Sequence, residues 1–244
     1  MFQTTTFLKM KILCISDTHN KHKQIPNEYL ENADNSIDMI IHAGDMTGGG
    51  HKNEIMPFLD WYNDLNFKHK ILIAGNHDFY FEQKGAEADI ATMLANRPNI
   101  TYLNDSGVEI DGLKIWGSPV QPWFYNWAFN RRDADIKPHW DLIPLDTDIL
   151  ITHGPVKGYL DVTMRGDVTG CPYLLERISE LKQLKLHVCG HIHEAYGRVV
   201  FPDGQVFINA SVLDHNYIMS NRPVTLELGN NDTIDSGFIN VKKK

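Results

Sequence analysis

Short aliphatic and β-branched runs recur along the chain, and each stops abruptly at Gly, Asn, Asp or His: KILCISDTHN, DMIIHAGDMTGGG, HKILIAGNHD, DILITHGP and KLHVCGHIH. Runs of this kind, closed by turn-forming residues, predict buried strands, the first over residues 11–16. Between the second and third runs, EIMPFLDWYNDL places apolar side chains at 55, 58, 59, 61, 62 and 65, close to helical spacing. CPYLLERISELKQL repeats that spacing over 171–184, with Pro172 near the start, where its missing N–H costs little. Strand and helix alternation in the first 100 residues predicts an α/β sheet with helices on its faces. Later, ITYLNDSGVEIDGLKIWGSP and GRVVFPDGQVFINAS predict strands joined by turns, with Asp-Gly at 111–112 and 203–204 marking hairpin-like connections. No repeat or linker interrupts the pattern, so one domain of two packed mixed sheets flanked by helices is expected over residues 10–244, preceded by a disordered leader at 1–9.

Composition narrows the function. A chain of 244 residues can bury a sizeable core, and no apolar stretch approaches the ~20 residues a membrane helix needs. The first lysines follow apolar residues and no small-residue cleavage site comes after them, which argues against a signal peptide. Cys14, Cys171 and Cys189 are odd in number, and two of them sit in strand-like runs, so free thiols in a reducing cytoplasm are expected. A net charge of −8 has the wrong sign for gripping long nucleic acid, which favours a small substrate and counts against a nuclease. The short basic features are NRRD at 130–133 and the terminal VKKK, the latter read as a solvated tail.

The strand ends concentrate metal-capable side chains, and in open α/β sheets ligands bind beyond the carboxyl ends of strands. Asp17 and His19 stand in an i, i+2 relation, as do His191 and His193; in extended chain each pair projects to one side. Asp45, Asn76 with His77, and His153 close the other three runs. Each motif alone is weak. Together Asp17, His19, Asp45, Asn76, His153, His191 and His193 form a carboxylate, imidazole and amide set without thiolate, suited to Mn, Fe or Zn. Seven groups exceed one ion's needs but suit two ions about 3.5–4 Å apart that share a carboxylate. Asp45, alone on its strand end, is the expected bridge.

His42 and His187 lie inside strand-like runs and read as core or as support behind the ligands, while His22, His51, His69, His139 and His215 have no informative context. PWFYNWAFNRR holds Trp123, Phe124, Tyr125, Trp127 and Phe129; it suits packing, or stacking of a nucleobase with Arg131 or Arg132 reaching phosphate. Gly48, Gly49 and Gly50 suit either a phosphate-facing backbone or a plain turn.

The ordered series DTH, GD, GNHD, THG and GHIH resembles the calcineurin-like metallophosphoesterase superfamily. GSPVQPWFYNWAFNR, THGPVKGYLDVTMRGDVTGC, LHVCGHIHEAYG and INASVLD extend that resemblance, over nearly the whole chain, to the branch of the metallophosphoesterase domain proteins of animal brain and their bacterial relatives. Some animal members of that branch carry glycine where His191 stands. The resemblance implies a four-layer α-β-β-α sandwich. It implies one ion on Asp17, His19, Asp45 and His193 and another on Asp45, Asn76, His153 and His191, so that GHIH fixes the spacing of the two. His77 would act beside the substrate as general acid, its ring oriented by Asp78, while Trp123, Phe124, Phe129 and Arg131 are the candidate substrate contacts. The expected activity is hydrolysis of small phosphodiesters, cyclic nucleotides among them, by in-line attack of a hydroxide bridging two divalent ions, Mn first. Phosphomonoester hydrolysis is the alternative. A non-catalytic scaffold is a third reading, against which the complete ligand set argues. No oligomeric state follows from the sequence.

Overall fold

Side chains of Met10–Ile15 alternate between two apolar layers: Ile12 and Cys14 pack among residues of a second sheet, whereas Leu13 and Ile15 pack among residues of helices. That alternation, repeated from strand to strand, generates the architecture. A computed structural model describes residues 9–229. The chain runs β1 (Met10–Ile15), α1 (Asn27–Leu30), β2 (Met39–Ala43), α2 (Lys52–Asp64), β3 (His69–Ile73), α3 (Glu87–Ala95), β4 (Ile100–Tyr102), β5 (Ser106–Ile110), β6 (Leu113–Ser118), β7 (Gln121–Pro122), β8 (Asn130–Arg131), α4 (Asp133–Asp141), β9 (Ile149–Thr152), α5 (Pro172–Glu180), β10 (Leu186–Cys189), β11 (Gly197–Val200), β12 (Val206–Asn209) and β13 (Val224–Leu228). Apart from Lys9, which pairs with Glu227 at 2.6 Å, the expected leader lies outside the described residues, as does the VKKK tail.

One sheet has the order β13-β1-β2-β3-β4, with β13 antiparallel to β1 and the rest parallel. The other has the order β11-β12-β10-β9-β6-β5, its four central strands parallel and both edges antiparallel. Ile41, Ile71 and Ile73 meet Ile115, Ile151, Val188 and Ile208 between the sheets. Phe58, Leu59 and Tyr62 of α2 and Ile90 and Met93 of α3 cover the outer face of the first sheet; Ile136 and Trp140 of α4 and Leu174 and Ile178 of α5 cover that of the second. The layers are therefore α-β-β-α, as expected. Each fully buried side chain of this size contributes roughly 1.5–3 kcal/mol by leaving water.

Asp111 (φ 48°) and Gly112 (φ 84°) both adopt the left-handed conformation that a tight hairpin between β5 and β6 requires. The second Asp-Gly lies in a longer turn, in which Gly204 N donates to Phe201 O and Phe201 N to Gln205 O. The helix expected to reach 184 stops at Glu180; Leu181 and Leu184 instead close a turn that packs into the outer core. Among the described residues no helix is long and apolar enough to cross a membrane, and the three cysteines are free and buried.

Candidate active site

The carboxyl ends of β1, β2 and β3 in one sheet and of β9 and β10 in the other converge, and all seven sequence-derived ligand candidates meet there. The atoms fall into groups: Asp17, His19 and His193 form one, and Asp45, His153 and His191 another. Asp45 joins them, because its Oδ2 lies 3.6 Å from His19 Nε2 and 3.3 Å from His153 Nε2. Asn76 belongs to the second group, with Oδ1 3.0 Å from His153 Nε2. The i, i+2 pairs do not arise from extended chain. Asp17 (φ 56°), His19 (φ 38°), Asp45 (φ 55°) and His191 (φ 69°) all take left-handed backbone just past their strands, and His193 opens a short 3-10 turn. Such conformations cost of order 1–3 kcal/mol each and cluster at functional sites. They swing His191 and His193 toward different groups, while His191 N donates to Asp17 Oδ2 at 3.0 Å and so ties the two together. Ser211 Oγ donates to the same oxygen at 2.6 Å. Gly190 makes this approach feasible, since a Cβ there would collide with Asp17 Oδ2 and Ser16 Oγ.

The donor set fits divalent ions. His19, His153 and His193 each place Nδ1 against a backbone carbonyl: Thr47 O at 3.1 Å, Ala43 O at 2.9 Å and Asp214 O at 3.0 Å. Carbonyls only accept, so Nδ1 carries the hydrogen and each neutral ring turns the lone pair of Nε2 into the site. The lone pairs then face acceptors: His19 Nε2 and His193 Nε2 are 3.3 Å apart, and His153 Nε2 faces Asn76 Oδ1 and Asp45 Oδ2. Protons or divalent cations between these atoms relieve the arrangement. Burial, which outweighs Asp45 and Asp17, lowers His19 to about 4, and burial with the charge of His153 lowers His191 to about 3. Burial opposes protonation of His153 and His193 too, but the carboxylates of Asp45 and Asp17 overcome it and raise both to about 9. Burial would raise Asp17 and Asp45, yet the facing imidazoles hold both carboxylates below the ordinary range. Protons shared between carboxylates and imidazoles stand where divalent charge would stand.

Behind the ligands, His42 and His187 stand outside the ligand groups, as support for the residues in front of them. His42 Nδ1 accepts from Gly44 N, so Nε2–H donates to Thr18 Oγ1 at 3.0 Å, bracing the turn between Asp17 and His19. His187 Nε2 lies 2.8 Å from Thr152 Oγ1, which itself donates to Gly154 O, bracing His153 in the same way.

His77 sits at the rim, with a ring nitrogen within 4.8 Å of the ligand atoms of His19 and Asp45. Its Nδ1 donates to Gly48 O at 2.7 Å, its ring stacks on Trp127 with centroids 4.3 Å apart, and His19 meets it edge-on at 4.6 Å. Asp78 does not orient the His77 ring, contrary to expectation. Asp78 is fully buried and accepts from Gly75 N at 2.8 Å, Thr47 N at 3.0 Å and Thr47 Oγ1 at 2.7 Å, so it clamps the Asp45 loop to the Asn76 loop, and Gly48 O holds the His77 ring instead. Burial, then the charge of Asp45, raises Asp78 to about 6 against those hydrogen bonds. The three-glycine turn offers no phosphate nest: Gly49 N donates to Glu54 Oε2 at 3.1 Å and Gly50 N to Thr47 Oγ1 at 3.0 Å.

An open cavity of about 440 Å³ lies over the two groups. Trp123 and Phe124 line it, Phe124 with its ring 4.9 Å from that of His191. Phe129 does not; it is 3% exposed and packs in the core beneath α2 and α3, and its left-handed backbone (φ 57°) turns it inward. Arg131 is also displaced from the expected role, held by Glu82 at 2.7 Å and absent from the cavity wall, while the guanidinium of Arg132 covers the Trp123 ring at 4.5 Å.

The family of calcineurin-like phosphoesterases matches residues 10–195. The chain belongs to that family. It is 38% identical to metallophosphoesterase domain-containing protein 1 of Homo sapiens, and equally to that of Mus musculus, over 89% of this chain and 71% of each relative. It is 36% identical to a UPF0046 protein of Caenorhabditis elegans, over 90% of this chain and 81% of that protein. The crystal structure of TT1561 of Thermus thermophilus superposes with a TM-score of 0.60 at 13% identity, covering 83% of this chain and 89% of that one, a likeness of fold alone. The phosphoesterase is thus metal-dependent and of a dinuclear family, with the ligand groups described above as its candidate ion sites.

Two cavity residues of this phosphoesterase escape a reading of isolated motifs. Trp127 belonged to a recognisable aromatic stretch, but its contact with the His77 ring depends on the path of the loop that joins β7 to β8. Tyr217 lies beyond all five motifs, in the turn whose Asp214 carbonyl accepts from His193.

Proposed function

We propose that this phosphoesterase hydrolyses small phosphodiesters, with cyclic nucleotides among the candidate substrates. The observation that carries this reading is the cavity lining: none of the described residues that line it is Lys or Arg. A phosphomonoester brings close to two negative charges, and such dianions are typically met by guanidinium or ammonium groups. A diester brings one charge and a second organic group. Beside the ligand atoms the wall is Pro122, Trp123, Phe124, Trp127, Pro155 and Ile192, apolar surface suited to that second group. A nucleobase fits such a wall because stacking accepts any π-face, which supports the nucleotide reading.

Two divalent ions, when bound on Asp17, His19, Asp45 and His193 and on Asp45, Asn76, His153 and His191, supply an acidified water and neutralise phosphoryl charge. The chain's own residues do the rest. His77 is placed to protonate the leaving alkoxide from Nε2, because Nδ1 is committed to Gly48 O and Trp127 fixes the ring plane. Phe124 and Trp123 orient the organic group, and Thr163 and Thr169 also line the cavity. Steady-state rates on bis-p-nitrophenyl phosphate and p-nitrophenyl phosphate under Mn²⁺ test this reading, with kcat/KM expected to be higher for the diester. A clear preference for the monoester would replace it with the phosphomonoesterase alternative.

A further inference from the structure

Tyr217 occupies a position that packing alone does not account for. Its ring lies 5.0 Å from the rings of both His19 and His193, at 65° to each, and so stands over one ligand group at the cavity wall. It is nevertheless 42% exposed, and its hydroxyl takes no hydrogen-bond partner among the described residues. A phenol hydroxyl carries its proton at neutral pH and can donate it.

The backbone is organised to keep it there. Tyr217 has φ 58°, a left-handed conformation unfavourable for a bulky residue. Its N–H donates to Asp214 O at 2.8 Å, and Asp214 Oδ1 accepts from Asn216 N at 2.8 Å and Ile218 N at 2.9 Å. The same Asp214 carbonyl accepts from His193 Nδ1 at 3.0 Å. One turn therefore sets the tautomer of a candidate ligand and the placement of the phenol above it.

We infer that Tyr217 is a substrate-contacting residue whose hydroxyl donates a hydrogen bond to a phosphoryl oxygen held over the Asp17, His19 and His193 group. This rests on the phosphodiesterase reading for its substrate, but the contact itself is to phosphate. In a cavity wall without Lys or Arg, a neutral O–H is the kind of donor that suits a singly charged diester.

The test is Tyr217→Phe, which keeps the ring against both histidines and removes only the hydroxyl. Three readouts are taken on the Mn²⁺-loaded protein: metal per chain, kcat/KM for bis-p-nitrophenyl phosphate, and calorimetric affinity for inorganic phosphate. Metal content should match the parent, while kcat/KM and phosphate affinity each fall about tenfold, the lower end for losing one hydrogen bond to a charged group. Parental kinetics and phosphate affinity in Tyr217→Phe would overturn the inference. Loss of metal would overturn it too, because the residue would then serve ion retention rather than substrate. If the parent protein hydrolyses neither diester nor monoester, the functional reading fails, yet phosphate calorimetry still decides the role of Tyr217.

Discussion

An Asp45→Ala protein is expected to retain neither ion after dialysis, whereas His191→Ala should lose one equivalent and His193→Ala the other. Asp45 Oδ2 is the atom shared by both groups, 3.6 Å from His19 Nε2 and 3.3 Å from His153 Nε2. Its second oxygen accepts from His77 N at 2.8 Å, so the carboxylate also holds the loop that carries Asn76. Removing it strips each site of a ligand and leaves the imidazole lone pairs of the two groups without common negative charge. Elemental analysis of the dialysed variants checks this, and two equivalents on Asp45→Ala would rule out the bridging assignment. Circular dichroism of the same samples separates ion loss from unfolding.

His77→Ala should show the opposite signature, with full metal and little turnover. A positioned general acid typically contributes ~10²–10⁴-fold, and its worth grows as the leaving group becomes more basic. Turnover of alkyl esters should therefore fall by roughly that factor, and turnover of nitrophenyl esters by much less. Equal losses on both would remove His77 from proton transfer. The geometry favours a selective defect, since the ring meets His19 edge-on and the backbone N–H that donates to Asp45 Oδ1 survives the substitution.

The ligand set was legible because it sits at strand ends, where local sequence dictates both the strand and its abrupt stop. Five aliphatic runs announce five strands, and the polar residues that close them are gathered by the shared edge of the sheets. The partners of those residues were harder to read. Asp78 is the immediate neighbour of His77 in the chain, which suggested support of its ring, but Gly75 N and the Thr47 N–H and hydroxyl claim the carboxylate, and Thr47 comes from another strand end. Phe129 belongs to the same aromatic stretch as Trp123, yet left-handed residues at Tyr125 and Phe129 break the regular period, so inside and outside cannot be told by counting. Arg131 looked free for phosphate because Glu82, its partner, is distant in sequence. Tyr217 carried no motif at all; its importance comes from the fold returning the chain to β1, where the Ser16–Ser211 bridge aligns the last segment with the first.

The left-handed backbones at Asp17, Asp45 and His191 have a consequence for the lifetime of the molecule. Their conformation is held by hydrogen bonds from neighbouring strand ends, such as Asp17 N to Gly44 O at 3.0 Å and His191 N to Asp17. The cradle is thus tied to the folded sheets, so ions bind the folded chain in preference to the unfolded one. What they change is the margin by which the native state is favoured, which grows with free ion concentration as ligand-linked stabilisation does. A chain starved of metal would lie closer to the threshold at which proteases act on it. Metal supply would then govern the abundance of this protein as well as its turnover.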